Sequence, residues 1–312
     1  MSQQPAPRPR LGLDIGGTKV HGILLDAAGR VLAERVLPTE RGAEGVVRSA
    51  LATADACLTL AGLARSDLAS VGVGIPGQVD HRTGTVRTAV NLDIHHLALG
   101  DLLAAELGVP VAVDNDVKAA ALAAADHLGA PDLTFLNVGT GVASATVADG
   151  RLVRGEGNLA GEIGHVPVDP DGARCACGQR GCLEVLVGGA GIARRLAPLA
   201  PQVSLPSLFE AAAAGVPDAV AEATRISAGI ATAVQLVVLT QGSSRVVLGG
   251  GVVHAARGLV DEVRRVLAAR ARESDFLASL DLAGRVLVLP AGYPVAAIGA
   301  ALVGHTPATA TG

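Results

Sequence analysis

The 312-residue sequence predicts an α/β protein built from two similar halves. Short apolar segments typical of strands alternate with amphipathic segments typical of helices, as in parallel α/β units. A glycine turn between two strands occurs twice, in LDIGGTKVHGILLDAAGR (13–30) and in LNVGTGVASATVADGR (136–151). A repeat of such long period indicates a duplicated domain rather than a solenoid, so each half is expected to open with a β-hairpin.

The composition excludes several classes of protein. Half of the residues are hydrophobic (50%) and the net charge is -4, so we expect a globular protein without a basic surface for nucleic acid or membranes. Three Phe, one Tyr and no Trp provide no platform for base stacking. The start, MSQQPAPRPR, does not resemble a signal peptide, and no uninterrupted apolar run reaches membrane-spanning length. We expect a cytoplasmic protein.

The first half is expected to follow a disordered tail at residues 1–9. Three strands open it, at 11–15, 20–25 and 31–37, with the first glycine turn between the first two. Beyond them we predict helices at 45–63, 97–107 and 117–128, strands at 69–75 and 110–113, and a loop at 76–80. The only two lysines, Lys19 and Lys118, are expected to be solvated or strand-end charges.

The second half is expected to be richer in helices after its hairpin. Helices are predicted at 189–199, 207–214 and 217–239, and a strand at 245–248 leads into a helix that continues to about residue 271. The last strand is expected at 285–289 and the last helix at 295–303.

Polar and glycine residues follow several of the predicted strands. Ligands of parallel α/β sheets bind beyond the carboxyl ends of strands, so several such residues at strand ends together indicate a ligand site. The backbone N–H groups of a Gly-Gly turn suit a phosphate, although such turns are about as often plain hairpins. The glycines at 249–251 form a further strand-to-helix turn that a ribose or adenine can approach. The residues at the carboxyl ends of the predicted strands are Asp14, Pro76, Gly77, Asp114, Asn115, Asp116, Gly139, Thr140 and Gly141.

The segment 161–184, GEIGHVPVDPDGARCACGQRGCLE, holds a candidate zinc site. His165, Cys175, Cys177 and Cys182 offer one imidazole and three thiolates, which suit a closed, tetrahedral structural zinc site. Ordinary buried cysteines, a disulfide, or a redox role for Cys175 and Cys177 are the less favoured interpretations. The remaining cysteine, Cys57, is interpreted as a small core residue of a helix.

These motifs together resemble the ROK (repressor, open reading frame, kinase) family of sugar kinases, within the actin/hexokinase/Hsp70-like ATPase superfamily. The resemblance covers about residues 10–304. The cysteine motif with its upstream Glu and His is the most specific part, whereas the glycine turns alone indicate only the superfamily. The matching segments are DIGGTK (14–19), GIPGQVD (74–80), NL (91–92), DND (114–116), VGTG (138–141), AGEIGH (160–165), CACGQRGCLE (175–184) and LGGG (248–251).

The resemblance implies roles for individual residues. Asp116 matches the catalytic base, which accepts the proton of the attacking sugar hydroxyl, and Asn115 matches a residue that bonds a ring hydroxyl. His165 matches a residue that gives one ring nitrogen to zinc and the other to the sugar. Asp14 matches a position near the magnesium of ATP. The further sugar positions are Gly77, Asn91, Glu162 and Glu184, and the further nucleotide positions are Gly16, Gly17, Thr18, Lys19, Gly139, Thr140, Gly141, Gly249, Gly250 and Gly251.

Structural interpretations of the DND segment stay open. Asp114 and Asn115 precede a predicted helix and can simply cap it, and Asp116 is then a first-turn acid favoured by the helix dipole. With the rest of the pattern present, Asp116 is interpreted as functional and Asp114 as mostly structural.

The resemblance also implies a fold of two actin-like (ribonuclease H-like) lobes. We expect the first lobe at residues 10–113, joined by the helix 295–303, and the second at 114–290 with the zinc loop. Family members are often dimers or tetramers, so a homodimer or homotetramer is expected.

The implied activity is ATP-dependent phosphorylation of glucose to glucose 6-phosphate. The segment 91–96, NLDIHH, lacks the aromatic residues that bacterial glucokinases of the family often have there, so an N-acetylhexosamine, mannose, fructose or an amino sugar such as kanosamine is an alternative. A transcriptional repressor of the family is a rival, disfavoured because only nine residues precede the first strand. A non-catalytic sugar sensor is a further rival, disfavoured by Asp116.

Overall fold

The computed structural model describes residues 8–199 and 203–304, which form two compact units. The first unit extends to Gly129 and also includes Arg154–Leu159 and the chain from Pro294 onward. The second consists of Ala130–Val153 and Ala160–Tyr293. Of the predicted tail at 1–9, residues 1–7 lie outside the described residues. The predicted lobe boundaries stay a prediction; in the structure α3 (Asp116–Leu128) belongs to the first unit, where it packs against α11 (Val295–Val303).

The first unit is a five-stranded sheet with helices on both faces. In space the strands have the order β3-β2-β1-β4-β7; β1, β2 and β3 are antiparallel, and β4 and β7 run parallel to β1. α11 lies directly on the sheet, because a Cβ at Gly72 would come within 1.7 Å of the carbonyl oxygen of Ala300. The elements not yet given are β1 Arg10–Ile15, β2 Lys19–Leu25, β3 Val31–Pro38, α1 Ala43–Ala61, β4 Ser70–Ile75, β5 Gln78–Asp80, β6 Thr85–Thr88, α2 Leu99–Leu107 and β7 Val111–Asn115.

The second unit repeats this sheet. Its order is β10-β9-β8-β11-β12, again with three antiparallel strands followed by two parallel ones. The shared order confirms the α/β fold of two similar halves. The elements are β8 Leu133–Val138, β9 Val142–Ala148, β10 Arg151–Val153, α4 Leu183–Val187, α5 Gly189–Leu196, α6 Leu208–Ala213, α7 Pro217–Gln241, β11 Val246–Gly249, α8 Gly251–Ala255, α9 Leu259–Arg272, α10 Asp275–Leu280 and β12 Val286–Val288.

The longest helix of the second unit is a core helix. α7 contributes many buried small and branched residues, among them Ala231 and Val234, to the main apolar cluster. Within the described residues it is the one helix that passes a length-and-composition test for a membrane span, a test that buried core helices also pass. Cys57 is fully buried in α1, as predicted.

Three sequence predictions were wrong in detail, and several short elements were not predicted. Residues 78–80 are not a loop but β5, which pairs with β6; strands of three and four residues are too short to show a period. The helix behind β11 is interrupted near Gly258, which has a positive φ of 82°. α10 was missed. Lys118 is buried, and its Nζ donates to the carbonyl oxygen of Asn158 at 3.0 Å.

Candidate functional site

The first glycine turn closes tightly at the end of β1. The N–H of Gly16 donates to the carbonyl oxygen of Lys19 at 2.9 Å, and Lys19 is exposed at the start of β2. A Cβ at Gly17 would lie 3.5 Å from the carbonyl oxygen of Asn91. The structure therefore brings DIGGTK, a predicted nucleotide motif, next to Asn91, a predicted sugar residue, within the first unit.

The DND segment joins β7 to α3 and combines a helix cap with the predicted acid. The side-chain oxygen of Asn115 accepts from the N–H groups of Val117 at 3.0 Å and Lys118 at 3.3 Å, so this residue is the N-cap. Its amide nitrogen donates to the carbonyl oxygen of Gly77 at 3.3 Å. Capping fixes the start of α3, and with it the position of Asp116, its first residue.

Asp14 and Asp116 influence each other electrostatically. Burial in the first place, and then the negative charge of Asp116, raise the pKa of the Asp14 carboxyl to about 7, against a smaller opposing effect of Lys19. A buried carboxylate whose pKa is raised further by a second negative charge is a favourable place for a cation, which relieves both causes of the shift. The pair therefore suits the Mg²⁺ of a nucleotide, with Asp14 as the side chain that would lie near it.

Asp114 holds the DND segment in place through buried polar contacts. Its side chain is fully buried and forms an ion pair with Arg154. One carboxylate oxygen also accepts from the N–H of Asn115 at 2.8 Å and from the side-chain nitrogen of Asn158 at 3.4 Å. Asp114 thus has the structural role expected from the sequence.

Arg154 and Asn158 are functional-site neighbours that the sequence interpretation missed. Asn158 has a positive φ of 64°, and the glycines on either side of Glu156 have positive φ as well. The string RGEGN (154–158) carried this signal, because Gly and Asn favour the left-handed region. A cavity of about 340 Å³ lies beside this segment and is lined in part by Asp80, His81 and Asn158; none of the predicted site residues lines it.

The second glycine turn gathers the predicted nucleotide residues of the second unit. Gly139 donates its N–H to the carbonyl oxygen of Gly141 at 3.0 Å, and its own carbonyl oxygen accepts from the N–H of Gly189 at 2.8 Å. A Cβ at Gly250 would lie 2.4 Å from the carbonyl oxygen of Val138, so the 249–251 turn reaches the same place. Only glycine allows these backbones to come so close.

Glu184, which belongs to α4, contacts the second glycine turn. Its Oε2 accepts from the N–H of Val142 at 3.2 Å and would be 2.5 Å from a Cβ at Gly141. The predicted sugar-binding acid and the predicted phosphate-binding turn are therefore direct neighbours in the second unit.

Two glycines allow the GEIGH segment to pack closely against β9. A Cβ at Gly161 would lie 1.8 Å from the carbonyl oxygen of Ser144, and one at Gly164 would lie 2.1 Å from that of Val142. The carbonyl oxygen of Gly161 accepts from the N–H of Ser144 at 2.8 Å. These contacts fix the short turn that carries exposed Glu162 and half-buried His165.

The four predicted zinc ligands converge. One ligand atom from each of His165, Cys175, Cys177 and Cys182 lies within 4.8 Å of the others. The sulfurs of Cys177 and Cys182 are 3.7 Å apart, and the Cys175 sulfur is 3.8 Å from Nδ1 of His165. Tetrahedral coordination with Zn–S of about 2.3 Å places sulfurs about 3.8 Å apart, so the set fits zinc.

The thiols of this cluster differ in acidity. Hydrogen bonds from Gln179 lower the pKa of Cys177 to about 6, whereas burial raises the pKa of Cys182 to about 12. Because zinc binds thiolates, loading this site with metal must remove the proton of Cys182. All four cysteines are free thiols rather than disulfide-bonded.

The model of the ROK family matches residues 10–304 of the chain. The chain belongs to the ROK family. The resemblance inferred from the motifs is thereby confirmed. The predicted α/β fold with two actin-like halves is confirmed as well, because it is the fold of ROK proteins.

Two sugar kinases are similar to the chain over different lengths. The glucokinase of Halalkalibacterium halodurans is 38% identical over 192 residues, which are 59% of this chain and 58% of that protein. The N-acetylmannosamine kinase of Citrobacter koseri is 33% identical over 268 residues, 83% of this chain and 88% of that protein. The match to the Halalkalibacterium protein thus spans little more than half of its length.

A solved ROK structure is similar over nearly the whole chain. A glucokinase from Streptomyces griseus, in complex with glucose and AMPPNP, superposes with a TM-score of 0.76 at 28% identity and covers 95% of this chain and 99% of its own.

Proposed function

We propose that this ROK protein is a sugar kinase that transfers a phosphoryl group from ATP to a hexose, with glucose as the first candidate. The observation that carries the proposal is the placement of Asp14 and Asp116 on either side of Gly74: Asp14 pairs with Gly74, and a Cβ at Gly74 would lie 3.5 Å from Cα of Asp116, the first residue of a capped helix. Support comes from the glucokinase relative and from the Streptomyces griseus glucokinase, which binds glucose and an ATP analogue.

In this proposal Asp116 accepts the proton of the attacking sugar hydroxyl and orients that hydroxyl. Phosphoryl transfer depends on in-line positioning and charge neutralisation more than on a strong base. A positioned base of this kind contributes about 10²–10⁴-fold to the rate. The proposed sugar-binding residues are Gly77, Asn91 and Asn115 of the first unit and Glu162, His165 and Glu184 of the second.

The glycine turns hold the nucleotide. Backbone N–H groups at 17–19 and 140–141 bind the phosphates, while those of Gly16 and Gly139 close their own turns. The 249–251 turn lets the ribose or adenine approach the backbone. Mg²⁺ would neutralise the phosphate charge when bound, with Asp14 beside it. ATP is the proposed donor because a solved relative holds its analogue AMPPNP.

Zinc is proposed as a structural ion held by His165, Cys175, Cys177 and Cys182. Since Nδ1 of His165 faces the Cys175 sulfur at 3.8 Å, Nε2 is the ring nitrogen left to meet a sugar hydroxyl. Coordination at one nitrogen sets the tautomer at the other and holds the ring in place. Zinc would thus make the sugar-binding turn rigid without taking part in the chemistry.

Glucose is favoured over N-acetylmannosamine on the identity of the relatives, 38% against 33%, although the second relative matches more of the chain. An N-acetylhexosamine, mannose, fructose or kanosamine are therefore the alternatives. The two predicted lobes, a homodimer or homotetramer, and a cytoplasmic location belong to the same proposal.

The test measures ADP release from Mg²⁺ and ATP with glucose, mannose, fructose, N-acetylglucosamine, N-acetylmannosamine and kanosamine. We expect one strong responder, whose turnover Asp116→Asn lowers by about 10²–10⁴-fold. Asp126→Asn is the matched control, because it makes the same change at an exposed position of the same helix. Silence across the panel in zinc-loaded, folded protein would contradict the proposal, and tight, salt-sensitive binding to promoter DNA would favour a repressor instead.

A further inference from the structure

The short helix α4 connects two parts of the proposed site. It begins after the proposed zinc ligand Cys182, which is its N-cap, carries Glu184 at its second position, and ends at Val187 with Gly188 as its C-cap. Five residues do not form a stable helix alone, and the last carbonyl oxygens of any helix need partners from elsewhere. The position of Glu184 therefore depends on what holds α4.

Arg195, on α5, supplies those partners. Its Nη1 donates to the carbonyl oxygen of Val185 at 2.8 Å, and its Nη2 donates to that of Leu186 at 2.6 Å. α5 comes this close because residue 191 is glycine; a Cβ there would lie 2.1 Å from the Val185 oxygen. A cation at the C-terminal carbonyls also complements the helix dipole.

Glu222, on α7, holds the guanidinium in turn. Nε of Arg195 donates to Oε1 of Glu222 at 2.8 Å, and the carboxylate side chain is only 4% exposed. The other carboxylate oxygen, Oε2, accepts from Arg225 at 2.6 Å, at a side chain that is 48% exposed. All three nitrogens of the Arg195 guanidinium group are thus used in one rigid arrangement, which a lysine cannot reproduce.

We propose that Arg195 and Glu222 are positioning residues for the sugar and phosphate sites of the second unit. Through α4 they fix Glu184, whose Oε2 accepts from the N–H of Val142 at 3.2 Å. The connection between α4 and α5 is also bonded to the second glycine turn, since the N–H of Gly189 donates to the carbonyl oxygen of Gly139 at 2.8 Å. The inference rests on the proposed function for its kinetic consequence, but its structural consequence is independent of it.

The test compares Arg195→Lys and Glu222→Gln with the control Arg225→Gln. The control removes the other partner of the same carboxylate and leaves the bonds to α4 in place. We expect Arg195→Lys to raise the KM for the responding sugar about tenfold or more, the size of one lost positioning interaction, with kcat changed less than about threefold. Glu222→Gln should act in the same direction, and Arg225→Gln should leave KM within about twofold.

A second measurement does not depend on kinase activity. Hydrogen exchange, followed in the zinc-loaded protein, should be faster at the Val142 amide in Arg195→Lys than in the wild type and unchanged in Arg225→Gln, because only the first variant releases Glu184. A folded Arg195→Lys variant with wild-type exchange and wild-type KM overturns the inference, as does an equal change in Arg225→Gln. If the wild type phosphorylates no sugar, the proposed function fails and the exchange rates alone decide the inference.

Discussion

Asp14→Asn should make the isolated protein more stable at pH 8 while it weakens binding of Mg²⁺ and ATP. The folded-state pKa of Asp14 is about 7, against an ordinary value of 3.8. Above pH 7 the folded protein must hold this carboxylate ionised, next to Asp116 and largely away from water. Asparagine has nearly the same shape and removes that charge.

The size of the effect follows from the shift. A difference of about three pKa units corresponds to about 4 kcal/mol at most, and because Asp14 keeps some exposure we expect about 2 kcal/mol. The stabilising contribution of the protonated form is complete below pH 4 and is lost as the pH rises through 7. The advantage of Asp14→Asn is therefore largest at pH 8 and should be smaller at pH 5.

The assay is thermal unfolding of wild type, Asp14→Asn and the exposed control Asp126→Asn at pH 5 and pH 8. Without nucleotide, we expect the melting temperature of Asp14→Asn at pH 8 to exceed that of the wild type by about 4 °C or more. Mg²⁺ with ATP should raise the melting temperature of the wild type and of the control, but raise that of Asp14→Asn much less.

A melting temperature of Asp14→Asn that is equal to the wild type at both pH values would refute this reasoning, since the carboxylate would then cost nothing in the folded state. An equal gain at pH 5 and pH 8 would also refute it, because the effect would then not come from ionisation.

Three further predictions concern other parts of the molecule. Zinc affinity, measured by competition with a chelator, should fall about tenfold per pH unit between pH 8 and pH 6, because loading releases at least the Cys182 proton, and a flat profile would exclude thiol ligation by Cys182. Arg154→Met should lower the free energy of unfolding in urea by about 3–5 kcal/mol, because it leaves buried Asp114 without its cation. The matched control Arg87→Met, at the partly exposed pair with Asp80, should cost less than about 1 kcal/mol, because Asp80 keeps Arg82 as a second cation. Gly164→Ala should raise the sugar KM, since its Cβ would lie 2.1 Å from the Val142 oxygen; an unchanged KM would show that the GEIGH turn tolerates displacement.

Local signals explain what could be predicted from the sequence. The two glycine turns were recognisable because a tight turn between strands leaves its mark within a few residues, and the zinc set because its four ligands lie within one short segment. The cap at Asn115 was predicted as one interpretation of DND, and the structure shows that the residue caps α3 and also contacts Gly77.

The supporting bonds could not be predicted, because they join residues far apart in the chain. Arg154 is 40 positions from Asp114, and Arg195 is 27 positions from Glu222. A single arginine in a polar segment gives no indication of its partner until the fold has brought the two together. The hairpin of β5 and β6 was missed for a different reason: strands of three and four residues show no period.

The two units differ in the segment that follows their third strand. In the first unit the chain passes from its third strand, which ends at Pro38, almost directly into α1, which begins at Ala43. In the second unit it leaves β10 at Val153 and reaches α4 only at Leu183. The intervening residues include RGEGN, whose Arg154 and Asn158 bind Asp114, and the GEIGH turn and the cysteines, which carry Glu162, His165 and the proposed zinc site. Duplication therefore accounts for the paired glycine turns that suit a nucleotide, whereas two of the proposed sugar residues, Glu162 and His165, lie in a segment that has no counterpart after the third strand of the first unit. Exchanging 154–182 between ROK kinases should accordingly change sugar preference more than it changes the KM for ATP.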